Sequence, residues 1–193
     1  MQVEGAGLVR PAPVSLRFTS GMVERILAIA KERDEYRGYR KRSDSWGRGF
    51  VSNPTFVGLT GEYAVCRYLS ARSVCNLQPD IELRKFGDGG CDIDAGGLVV
   101  QVKTRSSGTR NLIRRVDAKK RIRGLDCDAF VFASWDQKNM DVSLLGWIYS
   151  AQARLRGSHT RSSVATHWNL EVADDLLFPM KRLVEAILVR RGT

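Results

Sequence analysis

The spacing of hydrophobic positions along this chain changes period several times, and each change marks an expected element. Residues 1–18 contain Pro11 and Pro13 and no sustained period, which predicts a loose lead-in with one extended segment at Val14–Phe18. Met22, Val23, Ile26, Leu27 and Ala30 then recur at helical spacing, with Thr19 or Ser20 as the cap. A second helical stripe runs through TGEYAVCRYLSAR, where Thr60 is the expected N-cap and Glu62, Val65, Cys66 and Leu69 share one face. Asp80–Phe86 predicts a strand, followed by two short alternating segments joined at Gly96-Gly97, the signal of a two-residue hairpin turn. The runs 127–135 and 142–150 read as two further strands, the first nearly all apolar and therefore central. ARLRGSHTRSS, 153–163, reads as a basic loop. Pro179 opens or interrupts a last helix whose stripe is Met180, Leu183, Val184, Ile187 and Leu188. These elements predict an α/β fold, a mixed central β-sheet of four to five strands flanked by helices, in one domain over 19–193 behind the 1–18 lead-in.

Counting outward from the Gly-Gly turn sets Asp94 opposite Val99, Ile93 opposite Val100 and Asp92 opposite Gln101. Cys91, Ile93, Leu98, Val100 and Val102 then share an apolar face, and Asp92, Asp94, Gln101, Lys103 and Arg105 the polar one. Opposed residues have Cβ atoms about 4.5–5.5 Å apart, so two carboxylates, a carboxamide and an ammonium gather on one side of a hairpin.

Charge sharpens this picture. The 193-residue chain carries 31 Lys+Arg against 21 Asp+Glu, a net charge of +10 that points to a polyanionic partner. The excess is local: residues 103–123 hold nine Lys/Arg and one acid, so most of it follows directly on the hairpin. Lys31–Gly49 is a second basic stretch, with Tyr36, Tyr39 and Trp46 between its charges, read either as a solvated helix end and loop or as a nucleic-acid-contacting loop. Four cysteines without CxxC spacing read as reduced, mostly buried thiols of a cytoplasmic protein. No apolar run reaches membrane-spanning length, the N-terminus lacks a signal-peptide core, and His159 and His167 lack a metal-ligand pattern. GDGG lacks the strand-loop-helix context of a nucleotide loop.

Phosphodiester hydrolysis needs charge neutralisation at the phosphate, an activated water and stabilisation of the transition state. Mg²⁺ takes oxygen ligands, and here Asp92, Gln101 and the backbone carbonyl of Val102 can supply them. Lys103 lies on the same face as Asp92 and Gln101. Glu62 has a simpler reading, an acid favoured by the dipole of a first helical turn, yet it sits on a buried stripe and so needs a partner.

Glu62, then Asp92, then Gln101-Val102-Lys103 resembles the PD-(D/E)XK nuclease superfamily: a helix glutamate, a strand aspartate and (E/Q)xK on the hairpin partner. GDGGCDID before VVQVKT is most similar to its Mrr-type and Holliday-junction-resolvase-like branch, in which DxnQxK occurs. The resemblance covers about residues 58–135 and implies a restriction-endonuclease-like fold and a metal-dependent endonuclease hydrolysing DNA. It makes Asp92 the principal metal ligand, Gln101 the stand-in for the second acid, Lys103 the catalytic lysine, and Glu62 a contributor through water. Mg²⁺, or Mn²⁺ in its place, is the implied cofactor. Two departures stand out: Cys91 occupies the position of the motif's proline, and Gln101 removes one negative charge. The second leaves an alternative, a non-catalytic nucleic-acid-binding protein on a degenerate nuclease fold. In either reading Arg105, Arg110, Arg114, Arg115, Lys119, Lys120 and Arg121 contact the phosphate backbone, with Arg40, Lys41 and Arg42 as a second contact. DNA is the expected partner, RNA an alternative one, no membrane is involved, and homodimerisation is one way to cut both strands.

Overall fold

In the computed structural model the described residues are 10–36, 53–72, 77, 79, 92–106, 108, 110–115, 127–161 and 168–192. Five strands form one mixed sheet: β1 (Val14–Arg17), β2 (Ile93–Asp94), β3 (Val99–Arg105), β5 (Ala129–Asp136) and β6 (Asp141–Tyr149), in the order β1-β6-β5-β3-β2. β3 and β5 are parallel and the other neighbours antiparallel. Helices α1 (Ser20–Tyr36), α2 (Pro54–Ser70), α3 (Ser150–Arg156) and α4 (Met180–Arg191) flank it. The expected α/β class with a mixed central sheet is therefore the one the chain adopts.

The sheet is buried on both faces, and this explains why the β5 sequence is nearly all apolar. On one face Val100, Val102, Val131 and Trp135 pack with Phe56, Val65 and Leu69 of α2, Ile26 of α1 and Leu183 of α4. On the other, Phe130, Phe132 and Ile148 pack with Ile113, Leu170 and Val172. Those last residues belong to a second sheet of three antiparallel strands in the order β4-β8-β7: β4 (Asn111–Arg115), β7 (Ser158–Arg161) and β8 (Trp168–Val172).

Several expectations need correction. The extended segment inside the lead-in is a paired strand, since Val14 to Arg17 align with Leu144 to Asp141. The last residues of 1–18 therefore belong to the sheet. The second helix begins at Pro54 and not at Thr60. Asn53 accepts a hydrogen bond from the Phe56 N–H at 2.9 Å and Pro54 supplies a preset φ, a stronger start than Thr60. The Thr60 hydroxyl instead donates to the Val57 carbonyl within the helix. The basic loop at 153–163 is largely α3 and β7, divided at Gly157. β7 escapes the hydrophobic pattern because it lies at the margin of its sheet, with Ser158 and His159 exposed. The last helix follows Pro179 as expected, but Leu188 is exposed. The strand expected at 80–86 lies outside the described residues.

Candidate functional site

The hairpin forms in the expected register, Ile93 opposite Val100 and Asp94 opposite Val99. Gly96 and Gly97 have φ of 70° and 87°, the left-handed pair that a tight hairpin turn requires. The Asp94 carboxylate accepts a hydrogen bond from the Gly97 N–H at 2.7 Å, so this exposed acid serves the turn.

Beyond Ile93 the ladder gives way to a side chain, and the expected row of Asp92 opposite Gln101 does not form. The Asp92 N–H donates to the Val100 carbonyl at 3.1 Å, and Asp92 Oδ2 accepts from the Val102 N–H at 2.6 Å. Asp92 thus holds the margin of β3 where its neighbour strand stops. N–H and C=O of one strand residue leave by the same edge, so the Val102 carbonyl opens toward the Asp92 edge as well. Asp92 and Gln101 are only 8% and 6% exposed, which removes both from the class of surface polar side chains. Gln101 Oε1 is buried without a hydrogen-bond partner, an arrangement costing about 1–3 kcal/mol unless a donor or cation meets it. Gln101 lies beside Phe130 of β5 and half-buried Lys103 beside Phe132.

Glu62 arrives differently. Val100, Val102 and Thr104 point to the α2 face, whereas Gln101 and Lys103 alternate to the opposite face. Gly61 presses on β3 so closely that a Cβ there would stand 1.9 Å from Thr104 Oγ1. The next residue, half-buried Glu62, is the ninth of α2, the helix packed on the Val100–Val102–Thr104 face. The first-turn explanation for this acid lapses with the earlier helix start. Asp92, just before β2, and Gln101 and Lys103 of β3 lie in one hairpin, whereas Glu62 belongs to the helix on the opposite face from Gln101 and Lys103.

Among the described residues no three His, Cys, Asp or Glu side chains converge to hold a metal ion. A cation at Asp92 would draw instead on neutral oxygens, Gln101 Oε1 and the Val102 carbonyl, and the partnerless Oε1 fits that use. Cys127 adjoins the same region. Burial pushes its thiol pKa up, while the Ser150 hydroxyl at 3.3 Å and the charge of Lys103 pull it down and that of Asp92 raises it.

Lys103 also lines a cleft of about 500 Å³ with Arg105, Arg110, Leu112 and Phe132. Arg105 Nη1 donates to Asn111 Oδ1 at 3.1 Å, and Asn111 in turn donates to the Val172 carbonyl and to Asp174 Oδ1. Burial lowers the Arg105 pKa, the charge of Asp174 opposing and that of Arg10 assisting. Arg110 forks onto both carboxylate oxygens of Glu171, which raises the arginine's pKa and lowers the glutamate's. Two expected phosphate contacts thus meet protein partners first. Arg114 and Arg115 lie in β4. Arg40, Lys41, Arg42, Lys119, Lys120 and Arg121 lie outside the described residues. Sequence reading missed Asn111, Glu171 and Asp174 because Glu171 and Asp174 come some 60 residues after Arg110 and Asn111, the residues that donate to them. No local signal marks such a pairing.

Comparison with known protein families, with characterised proteins and with solved structures finds no match for this chain. No helix among the described residues is long and apolar enough to cross a membrane.

Proposed function

We propose that this protein is a Mg²⁺-dependent endonuclease hydrolysing phosphodiester bonds in DNA. The observation that carries the reading is the burial of both Asp92 and Gln101 in one hairpin, with Lys103 next to Gln101 along the same face and Gln101 Oε1 lacking a hydrogen-bond partner. Helix α2, the hairpin and a parallel strand after it also occur in the order that the resemblance to PD-(D/E)XK nucleases implies. Asp92, Gln101 Oε1 and the Val102 carbonyl would hold Mg²⁺, or Mn²⁺ in its place. When bound, the ion supplies neutralisation of the phosphate and a more acidic water. Lys103 would take the proton of the attacking water or balance charge on the pentavalent phosphate, and Glu62 would orient water at the margin. Arg105, Arg110, Arg114 and Arg115 would grip the backbone. A single 19–193 domain extended by β1, a cytoplasmic location suited to Cys66 and Cys127 as thiols outside any disulfide, and a homodimer for two-strand cutting complete the proposal.

Wild type should nick supercoiled plasmid with Mg²⁺ and stop in EDTA. Lys103→Ala should lose about 10²-fold or more in rate and still bind DNA. A second reading, a binder that does not cut, is favoured by Gln101, a neutral side chain where the resemblance implies an acid. Binding by both forms with no cleavage of DNA or RNA under Mg²⁺ or Mn²⁺ would establish it.

A further inference from the structure

Resting on a nucleic-acid substrate, we propose that the cleft beside Lys103 is a pocket for one unstacked nucleotide, base inside and phosphate at the Arg105–Arg110 rim. The volume, about 500 Å³, lies within the span of pockets that enclose small ligands, roughly 300–1,000 Å³. A duplex backbone laid across a surface requires no such recess. The walls are chemically divided: half-buried Leu112 offers apolar surface, with Phe132, only 1% exposed, behind it as part of the core, while Lys103, Arg105 and Arg110 bring three cations to the same space. A phosphate alone would need the cations and not the apolar wall. A flat base carrying a phosphate uses both.

Two further features point to an anion at the rim. Arg105 Nε is buried with no hydrogen-bond partner, a donor held out of water without an acceptor. Arg110 is already occupied in the two-pronged manner that a phosphate would adopt, by the carboxylate of Glu171. Glu171 keeps the guanidinium aimed and is exchanged for phosphate when a nucleotide enters. Because Lys103 lies on the same wall, the nucleotide held here neighbours the phosphate to be cut. Unstacking a base from a duplex costs a few kcal/mol, so the pocket selects substrates in which a base is already free: single strands, ends and distorted sites.

The test is binding to the full chain in EDTA, which separates it from metal-dependent cutting. Deoxynucleoside 5′-monophosphates, the unphosphorylated nucleosides and inorganic phosphate are titrated calorimetrically. Monophosphates should bind at least about tenfold tighter than either fragment, a difference of about 1.4 kcal/mol. Leu112→Trp, which fills the cleft and leaves the cations, should weaken monophosphate binding about tenfold or more while leaving phosphate binding unchanged. Arg110→Gln should weaken both. A single-stranded oligonucleotide should displace the monophosphate better than a blunt duplex of the same length. Equal affinity for phosphate and monophosphate, no binding at all, or a folded Leu112→Trp that binds as wild type would overturn the pocket. Plasmid nicking by a wild type that binds no monophosphate would sink the pocket and leave the nuclease; the converse result would sink only the nuclease.

Discussion

At the scale of single residues, the site turns on two atoms that sequence spacing alone could not weigh. Gln101 Oε1 is buried and partnerless, and Asp92 Oδ2 is spent on the Val102 N–H. A glutamate at 101 would restore the missing negative charge next to Asp92. Gln101→Glu should therefore lower the Mg²⁺ concentration for half-maximal nicking about tenfold or more. An unchanged or higher requirement would mean that position 101 does not face the cation. Cys127 makes a separate statement about pH. Its folded pKa is raised, chiefly by burial, so the unfolded chain loses the thiol proton first as pH rises. Stability from this group is complete below the unfolded pKa, about 8.5, and declines as pH climbs from there toward the folded value. Thermal melts from pH 7 to 10 should show that alkaline decline in wild type and a shallower one in Cys127→Ala. Parallel curves would remove the thiol from the account.

At the scale of elements, the Gly61–Thr104 contact sets how closely α2 lies on β3 and thereby where Glu62 emerges. Gly61→Ala should cost about 1–3 kcal/mol, since the new methyl meets Thr104 Oγ1 before anything can yield. Adding Thr104→Ala removes that oxygen and should recover most of the loss. Urea denaturation of the four forms measures the coupling, and additivity within about 0.5 kcal/mol would show that the contact is relaxed elsewhere. The elements that were legible in the sequence were the ones specified locally. The Gly96-Gly97 turn fixed the hairpin register, and the apolar run of β5 announced a central strand. The second sheet was not legible. β4 and β8 pair across more than fifty residues, and β7 has exposed positions where a pattern would need apolar ones. The start of α2 was misplaced because Thr60 resembles a cap, although Asn53 and Pro54 make a better one. Asn53 is also held by Asp34, to which its Nδ2 donates at 2.9 Å, a tie between α1 and α2 that no local pattern records. Alternation alone groups Asp92 and Gln101 on the polar side of the hairpin and carries no signal that both are buried.

At the scale of the whole molecule, the described cations of the basic run, from Lys103 to Arg115, are divided between two sheets and the link that joins them. β3 carries Lys103 and Arg105 to the cleft, and β4 carries Arg114 and Arg115 away beside β8. These cations do not contribute alike to a polyanion's grip. Each one that binds a phosphate from water releases about 0.9 of a condensed counterion from duplex DNA, and the slope of log K against log salt counts them. Neutralising Arg114, Arg115, Lys119 and Lys120 should then flatten the slope by about 0.9 for each cation that had bound a phosphate. Arg110 differs because Glu171 already neutralises it. When a phosphate takes that arginine, Glu171 is left unpaired and recruits a salt cation in exchange, so little net release follows. Arg110→Gln should weaken DNA binding yet leave the slope nearly unchanged. Fluorescence anisotropy at several salt concentrations distinguishes the two behaviours. A slope that falls as much for Arg110→Gln as for a β4 arginine would show that Glu171 does not hold Arg110 in solution. A slope unmoved by any of these changes would place the DNA elsewhere on the protein.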